Sequence, residues 1–330
     1  MSAPIKEIAM SLRSLVTGRR TAIPSPAVAA MFCLLWSSAF AVSKLALADC
    51  PPLLIVAARL LLAGAVMLAA AALPGVEWRL ARRDLVALTV IGVANNALYL
   101  GLNFIGMQSV SAGLTALIAS ANPVLTALLS TVLLSEHMTW RKAAGLVLGV
   151  GGVAFIVESR ISGGAESVAG IACVVAALMS LVAGTILFKR LQPKGGLWIG
   201  NGVQNLAGGL AVVPFAFMFE SIGEIVLSWR LACAVAFLTL LVSVVGYLLW
   251  SYLLTTSGAT AASSYHFLMP PLGLIFGWLL LGERVALADL IGVVPVVLGI
   301  YLITRPSAAK ATLLNEFIDV KQSSPCGVRR

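Results

Sequence analysis

Amide and aromatic side chains recur at helical spacing within two otherwise apolar stretches of the sequence. Asn95, Tyr99 and Asn103 are four residues apart, so a helix would carry all three on one face. A later stretch repeats this spacing, with Trp250 as a neighbour, at Ser243, Tyr247 and Ser251. Side chains of these types bind a small solute by hydrogen bonds and stacking, although they also join helices to one another. The pattern indicates a binding site for a small molecule.

Catalytic chemistry has few candidates in this sequence. The chain has only two histidines, His137 and His266, and it contains no GxSxG, HExxH or GxxxxGK[ST] motif. Its five cysteines show no CxxC spacing, and those inside apolar stretches are expected to pack as small hydrophobes. We therefore expect no enzyme activity, ATP-driven pump, cofactor, metal site or disulfide.

The elements that carry these residues are membrane spans. The sequence is 60% hydrophobic and only 11% charged, with a mean hydropathy of +1.02. A spanning helix needs about 20 mainly apolar residues. We identify ten such segments, which predict an all-α integral membrane protein: 27–48, 53–73, 85–105, 111–134, 141–157, 168–188, 197–219, 231–254, 259–281 and 286–303.

The Lys and Arg residues predict the orientation of these spans. Most of them fall in alternate connections and in the two terminal segments, 1–26 and 305–330. Because Lys and Arg favour short cytoplasmic loops, both termini are expected in the cytoplasm. The net charge of +9 is explained by this distribution, so nucleic acid is not an expected partner.

The second half of the chain repeats the first at an offset of 147 residues. The matching pairs are Pro123 with Pro270, Glu136 with Glu283, Gly145 with Gly292, and Gly152 with Gly299. Each copy, 27–158 and 166–304, would hold five helices, and an odd number makes the second copy enter the membrane from the opposite side. Inverted repeats with a site between them are typical of secondary transporters. The predicted fold is ten transmembrane helices as two inverted five-helix repeats around a central cavity.

The chain resembles the EamA-type members of the drug/metabolite transporter superfamily. The resemblance rests on WSSAF at 36–40, on Lys44 and Arg59 downstream, and on two proline-bearing helices that end in SEH and GER. It implies two five-helix repeats around a cavity, a location in the cell inner membrane, and export of amino acids or other small metabolites in many members. The chain departs from internal symmetry at Gln204, which stands in the place of Arg59, and at Met269, in the place of Asn122.

Polar and aromatic residues within the spans are the candidates for substrate binding. They are Trp36, Arg59, Asn95, Tyr99, Asn103, Asn122, Tyr247, Trp250 and His266. Two of them have alternatives that the sequence leaves open. Trp36 is either an interfacial anchor or packing residue, or part of the substrate wall. Arg59 either pairs with Asp49 or a carbonyl, or binds a substrate carboxylate.

Helix breakers and carboxylates mark further candidates. Pro123, Pro270 and Pro271 lie near the middle of predicted spans, where they would act as hinges or as static kinks. Glu136 and Glu283 each precede the next predicted helix, where they would cap its N terminus or act as a gate.

The predicted function is secondary transport by alternating access. Export of amino acids or related metabolites is favoured, and uptake of a vitamin or nucleoside-like solute is the alternative. A non-transporting scaffold or receptor is a third reading. No Asp or Glu falls in the middle of a predicted span, so proton coupling is not indicated, although His266 could provide it. Expected partners are a small-molecule substrate and membrane lipid, and a homodimer is compatible with the sequence.

Overall fold

The described part of the chain forms ten apolar helices. A computed structural model describes residues 26–72, 80–133, 138–164, 166–253, 256 and 265–304. The helices are α1 (Pro26–Leu47), α2 (Pro52–Ala71), α3 (Arg82–Met107), α4 (Ala112–Leu133), α5 (Trp140–Ser162), α6 (Val168–Leu191), α7 (Gly196–Phe219), α8 (Trp229–Leu253), α9 (Met269–Leu281) and α10 (Leu287–Thr304). No strand occurs within these ranges.

Short polar residues set several helix starts. Ser111, Thr139, Ser167 and Ser228 precede α4, α5, α6 and α8, and each side-chain oxygen accepts a hydrogen bond from a backbone N–H in the first turn. Such caps satisfy N–H groups that have no partner inside the helix. At the other end of α9, Gly282 adopts a φ of 66°, a conformation that glycine takes without steric cost.

Nine of the described helices are long and apolar enough to cross a membrane, and α9 is a shorter apolar helix of 13 residues. The sequence predicted a span over 259–281. Within the residues described there, a 3₁₀ turn at Tyr265–Leu268 precedes α9, so the α-helical part starts later than predicted. Proline explains the position of this start, because it fits the first turn of a helix and not its interior.

The three predicted kink prolines all lie at the start of a helical segment. Pro270 and Pro271 follow Met269, the first residue of α9. Helix α4 is interrupted at Ala121, and Pro123 is the second residue of the segment Asn122–Leu133. In α9 the prolines therefore follow the 3₁₀ turn, and whether they kink the span stays a prediction. In a first turn the missing N–H removes no hydrogen bond from the helix. Their role as hinges stays a prediction.

Equivalent helices of the two halves pack against each other. The pairs α2–α7, α4–α9 and α5–α10 are in contact. In the α5–α10 pair, a Cβ on Gly145 would lie 2.6 Å from the carbonyl oxygen of Gly299, and one on Gly152 would lie 2.8 Å from that of Gly292. One residue number rises as the other falls, so the two helices run antiparallel. Small residues allow this close approach of backbones within a membrane.

Helices that are not equivalent also pack across the boundary between the two halves. Helix α6 packs on α3, and α1 packs on α8. Because α1 corresponds to α6 and α3 corresponds to α8, these two contacts are equivalent. Large apolar side chains such as Leu62, Val147 and Trp278 are exposed on the outside of the bundle. The fold is an all-α integral membrane structure of two inverted five-helix repeats, as predicted from the duplication.

Candidate functional site

A cavity of about 580 Å³ lies between the two halves. It is bounded by residues of every helix from α1 to α10. All nine predicted substrate-binding residues line it: Trp36, Arg59, Asn95, Tyr99, Asn103, Asn122, Tyr247, Trp250 and His266. Residues from five helices and from the 3₁₀ turn before α9 thus meet around one space, and their role in binding a substrate stays a prediction. Pro123 also lies on this wall.

A π-helical segment positions the amide stripe of α3. Residues Val93–Leu98 adopt π geometry in the middle of the helix. A π segment changes the angular spacing of side chains, and such segments are frequent at functional sites. Here Asn95 lies against Gly184 of α6, and Asn96 lies against Gly208 of α7. Further along α3, the side chains of Tyr99 and Asn103 also line the cavity.

Five rings form one side of the cavity. Phe32 stacks on Trp250 with ring centroids 5.4 Å apart, and Trp250 meets His266 edge to face at 5.0 Å. Trp36 contacts Phe32 at 5.4 Å and Tyr247 at 6.0 Å. Trp36 therefore lies inside the bundle and not at the interface with lipid. Offset-stacked and edge-to-face contacts of this kind favour a fixed arrangement of the rings, which provides an aromatic wall.

Arg59 is a buried cation on the cavity wall. Only 7% of the residue is exposed, and its Nε donates a hydrogen bond to Ser243 Oγ at 3.2 Å. The alternative partner Asp49 is already occupied, since it accepts hydrogen bonds from Arg230 and Ser228. No carboxylate within the described ranges forms an ion pair with Arg59. The pairing with Asp49 considered from the sequence is therefore wrong.

Asn122 sits where α4 is interrupted and faces the cavity. Its Oδ1 accepts a hydrogen bond from Thr126 Oγ1 at 3.1 Å. This bond lies within one turn of the same helical segment, so it holds the amide in place beside the break at Ala121. Met269 is the corresponding residue of the second half, and it also lines the cavity. The two halves thus present a polar and an apolar side chain at equivalent places.

The cavity extends to the ends of the helices on one side of the bundle. Lys142 in the first turn of α5, Lys189 in the last turn of α6 and Thr304 at the end of α10 line it there. Lys189 Nζ donates a hydrogen bond to Ser130 Oγ at 3.0 Å. None of the cavity-lining residues that the structure describes is an Asp or a Glu. The wall therefore combines neutral polar, aromatic and cationic groups.

On the opposite side, charged groups join the helix ends. Lys44 Nζ donates hydrogen bonds to the backbone oxygens of Met107 and Val110, where α3 ends. Glu166 accepts hydrogen bonds from Ser111 at the start of α4, from its N–H at 2.9 Å and from its hydroxyl at 2.5 Å. These bonds connect α1, the α3–α4 connection and the α5–α6 connection, so they stabilise the packing of this end.

Glu283 belongs to the same group of contacts, and it caps a different helix from the one predicted. Its carboxylate accepts hydrogen bonds from Ala112 N at 2.6 Å and Gly113 N at 2.9 Å, at the N terminus of α4. The sequence predicted a cap on the helix that follows it, α10. There Asp289 takes that place, since it accepts a hydrogen bond from Ala286 N at 2.7 Å. Packing of α9 against α4 causes the difference. Glu136, the other predicted cap, lies outside the described residues.

Phe32 and Asn205 are among the cavity residues that the sequence did not identify as candidates. Phe32 is one turn before Trp36 in an apolar helix, and nothing in its sequence context distinguishes it from a core residue. Asn205 lies beside Gln204 in the middle of α7, and an amide pair inside an apolar span was a signal that could have identified it. No cluster of His, Cys, Asp or Glu within the described ranges could hold a metal ion.

Comparison with known proteins agrees with this arrangement. The sequence matches the EamA-like transporter family over residues 26–158 and again over 168–305. It is 29% identical over 287 residues to the uncharacterized transporter YvbV of Bacillus subtilis, covering 86% of this chain and 93% of the relative. It is 30% identical over 296 residues to the S-adenosylmethionine/S-adenosylhomocysteine transporter of Chlamydia trachomatis serovar D, covering 82% and 85%.

A solved crystal structure has the same fold. It aligns with a TM-score of 0.58 at 20% identity, over 88% of this chain and 97% of the other. Together with the two family matches, which cover both halves, these similarities identify a multi-pass membrane transporter. The chain belongs to the EamA-like transporter family.

Proposed function

We propose that this transporter exports amino acids or related small metabolites by alternating access. The observation that carries the proposal is the single cavity between two inverted halves, with amides and five rings on its wall. In such a transporter, one half rocks against the other around a site near the middle of the membrane. The two chain segments 27–158 and 166–304 would be the moving halves.

The side chains of the cavity support a substrate with both polar and planar parts. Asn103, Tyr99 and Asn122 would hydrogen-bond its polar groups, and Trp36 and Trp250 would contact a ring or an apolar chain. A pocket of about 580 Å³ is within the usual range for sites that bind small molecules. Lipid would contact the apolar outer surface, and a homodimer would use the same surface.

Uptake of a nucleoside-like solute or vitamin is the second candidate. It is favoured by the stacked pair Phe32–Trp250, since an aromatic base could stack beside these rings. The relative from Chlamydia trachomatis is named for a substrate of the S-adenosyl type. The absence of Asp and Glu from the described cavity wall supports exchange or facilitated transport for either candidate.

For the location, we propose the cell inner membrane with both termini in the cytoplasm. The cavity end at Lys142 and Lys189 would then face the cytoplasm, in agreement with the preference of Lys and Arg for that side. The contacts of Lys44 and Glu283 would hold the external side together in this state.

Counterflow in proteoliposomes tests transport and substrate class together. Vesicles loaded with pools of amino acids, purines or vitamins are supplied with labelled members of each pool, without an imposed gradient. We expect saturable exchange of the amino acid pool. Trp36→Ala removes one ring from the cavity wall and should lower this exchange by about tenfold, since stacking of a ring contributes about 1 kcal/mol or more. Trp278→Ala is the matched control, because that ring is exposed on the outer surface.

Two outcomes would contradict the proposal. Exchange of the purine or vitamin pool alone would favour the second candidate. If no pool is exchanged, with or without a proton gradient, the protein transports none of these compounds.

A further inference from the structure

The guanidinium of Arg59 is held by one hydrogen bond at Nε, and transport as such does not require this contact. Its Nε donates to Ser243 Oγ, and its two Nη groups have no hydrogen-bond partner among the described residues. The side chain is more than nine-tenths buried and lines the cavity. A buried cation without a carboxylate is costly, because desolvation of the charge is not offset by an ion pair. The arrangement leaves the forked end of the guanidinium available to a ligand.

The contact with Ser243 explains why the two Nη groups of Arg59 are the ones available to a ligand. The Ser243 hydroxyl donates to the backbone oxygen of Leu238 at 3.1 Å, five residues earlier. With its only proton used there, Oγ offers lone pairs, and it accepts the hydrogen bond from Arg59 Nε. Ser243 lies in the π-helical segment Phe237–Val245 of α8, and it is itself only 3% exposed. The segment thus holds the guanidinium at Nε, and the two Nη groups stay without a hydrogen-bond partner among the described residues.

The second half does not repeat this arrangement. Gln204 stands in the place of Arg59, but it donates to the backbone oxygen of Gly200 in its own helix at 3.2 Å. It is absent from the described cavity wall. The cavity therefore offers one guanidinium fork, on one side, next to the amide stripe of α3 and the five rings.

We propose that Arg59 binds a carboxylate of the substrate through its two Nη groups and that Ser243 is the residue that positions it. The inference rests on the proposed transport function and adds the chemical class of the substrate. A planar fork matches the two oxygens of a carboxylate, and charge-assisted bonds of this kind are among the strong ones. A substrate acid should thus be preferred over its neutral amide.

The test compares each amino acid with its own primary amide. Purified protein is assayed for thermal stabilisation by the amino acid pool and by the matching amide pool, and counterflow is measured with the same pools. We expect the acids to bind at least about tenfold more tightly than the amides, as expected for a hydrogen bond to a charged group. Arg59→Gln should abolish this preference, and Arg59→Lys should restore only part of it, because an ammonium group lacks the fork.

The positioning role of Ser243 can be measured separately from any effect of its substitution on folding. Ser243→Ala should weaken the binding of acids by about three- to tenfold and leave the weak binding of amides unchanged, since only the orientation of the guanidinium is lost. Ser243→Thr keeps the hydroxyl and should restore the preference. Thr239→Val is the matched control, because Thr239 is buried in the same π segment without a hydrogen bond to Arg59.

The outcomes separate this inference from the proposed function. Equal binding of acids and amides by the wild type, with saturable exchange intact, would overturn the role of Arg59 and leave transport standing. The same holds if Arg59→Gln keeps the preference for acids. A loss of amide binding together with acid binding in Ser243→Ala would identify Ser243 as a structural residue only. If the wild type exchanges no pool, it is the proposed function that fails.

Discussion

Asp49 connects the α1–α2 turn to the start of α8. It accepts hydrogen bonds from Arg230 Nε at 2.7 Å and from the Ser228 hydroxyl at 2.5 Å. Ser228 also accepts the N–H of Leu231 at 2.9 Å, so the same hydroxyl caps α8. Hydrogen bonds from the Arg230 guanidinium, and then from Ser228, lower the pKa of the Asp49 carboxyl from 3.8 to about 2. The carboxylate therefore stays charged at all physiological pH values.

This shift predicts how the stability of the protein depends on pH. A folded-state pKa below the unfolded value means that Asp49 contributes stability above pH 3.8, and that this contribution is lost as the pH falls towards 2. The difference in melting temperature between wild type and Asp49→Asn should stay constant from about pH 5 to 8 and shrink below about pH 4. Thermal unfolding in detergent at a series of pH values measures it. A difference that changes between pH 6 and 7 would contradict the assignment.

Glu283 provides a second prediction for a single residue. Glu283→Gln removes the charge at the N terminus of α4 and keeps one acceptor for the two N–H groups of Ala112 and Gly113. Loss of such a cap costs about 1 kcal/mol, so the melting temperature should fall. Glu224→Gln is the control, since that side chain is exposed on the same side of the bundle.

The same variant distinguishes a cap from a gate. If Glu283 only caps α4, transport should fall in proportion to the amount of folded protein. A rise in the exchange rate per folded molecule would instead indicate that Glu283 restrains the opening of this end, which is the other role considered from the sequence.

Among the elements, the α5–α10 pair depends most directly on small residues. A Cβ on Gly299 would meet backbone atoms of Gly149, at 2.7 Å from its nitrogen, and backbone cannot move aside as a side chain can. Gly299→Ala should therefore destabilise the protein by about 1–3 kcal/mol, the usual cost of overpacking. Gly151→Ala is the control in α5, because a Cβ there meets nothing within 4 Å. Equal melting temperatures for the two variants would show that the helices separate at little cost.

The transmembrane helices could be predicted from the sequence wherever hydropathy determines them. A bilayer requires long apolar helices, so the nine long spans follow from composition alone. The start of α9 was predicted too early, because apolar residues before Met269 suit a helix as well as a 3₁₀ turn. The π segments of α3 and α8 leave no mark on hydropathy, since they change the backbone hydrogen bonds and not the residue types.

The site was predictable where the residue type alone is informative. A polar side chain inside a membrane helix must face protein or a cavity, which explains why all nine candidates line the cavity. The partner of Glu283 was not predictable, since it depends on how α9 packs against α4 and not on neighbours in the sequence. Phe32 gave no signal, because a buried phenylalanine is equally common in any core.

For the whole molecule, the predicted orientation can be measured with single cysteines. Lys194 lies in the α6–α7 connection and Glu224 in the α7–α8 connection, at opposite ends of α7, and both are exposed. After replacement of the five native cysteines, Glu224→Cys in intact cells should react with a membrane-impermeant maleimide. Lys194→Cys should react only after permeabilisation. The reverse result would place both termini outside the cytoplasm.

The side chains of the cavity break the symmetry that the backbone keeps. Arg59 and Asn122 of the first half stand opposite Gln204 and Met269 of the second. A carrier with two identical halves would have the same half-saturation concentration on each face of the membrane. This protein lacks that symmetry, so its half-saturation constants for influx and efflux are expected to differ. Without a driving gradient, the two maximal rates must differ by the same factor, because net flux vanishes at equal concentrations.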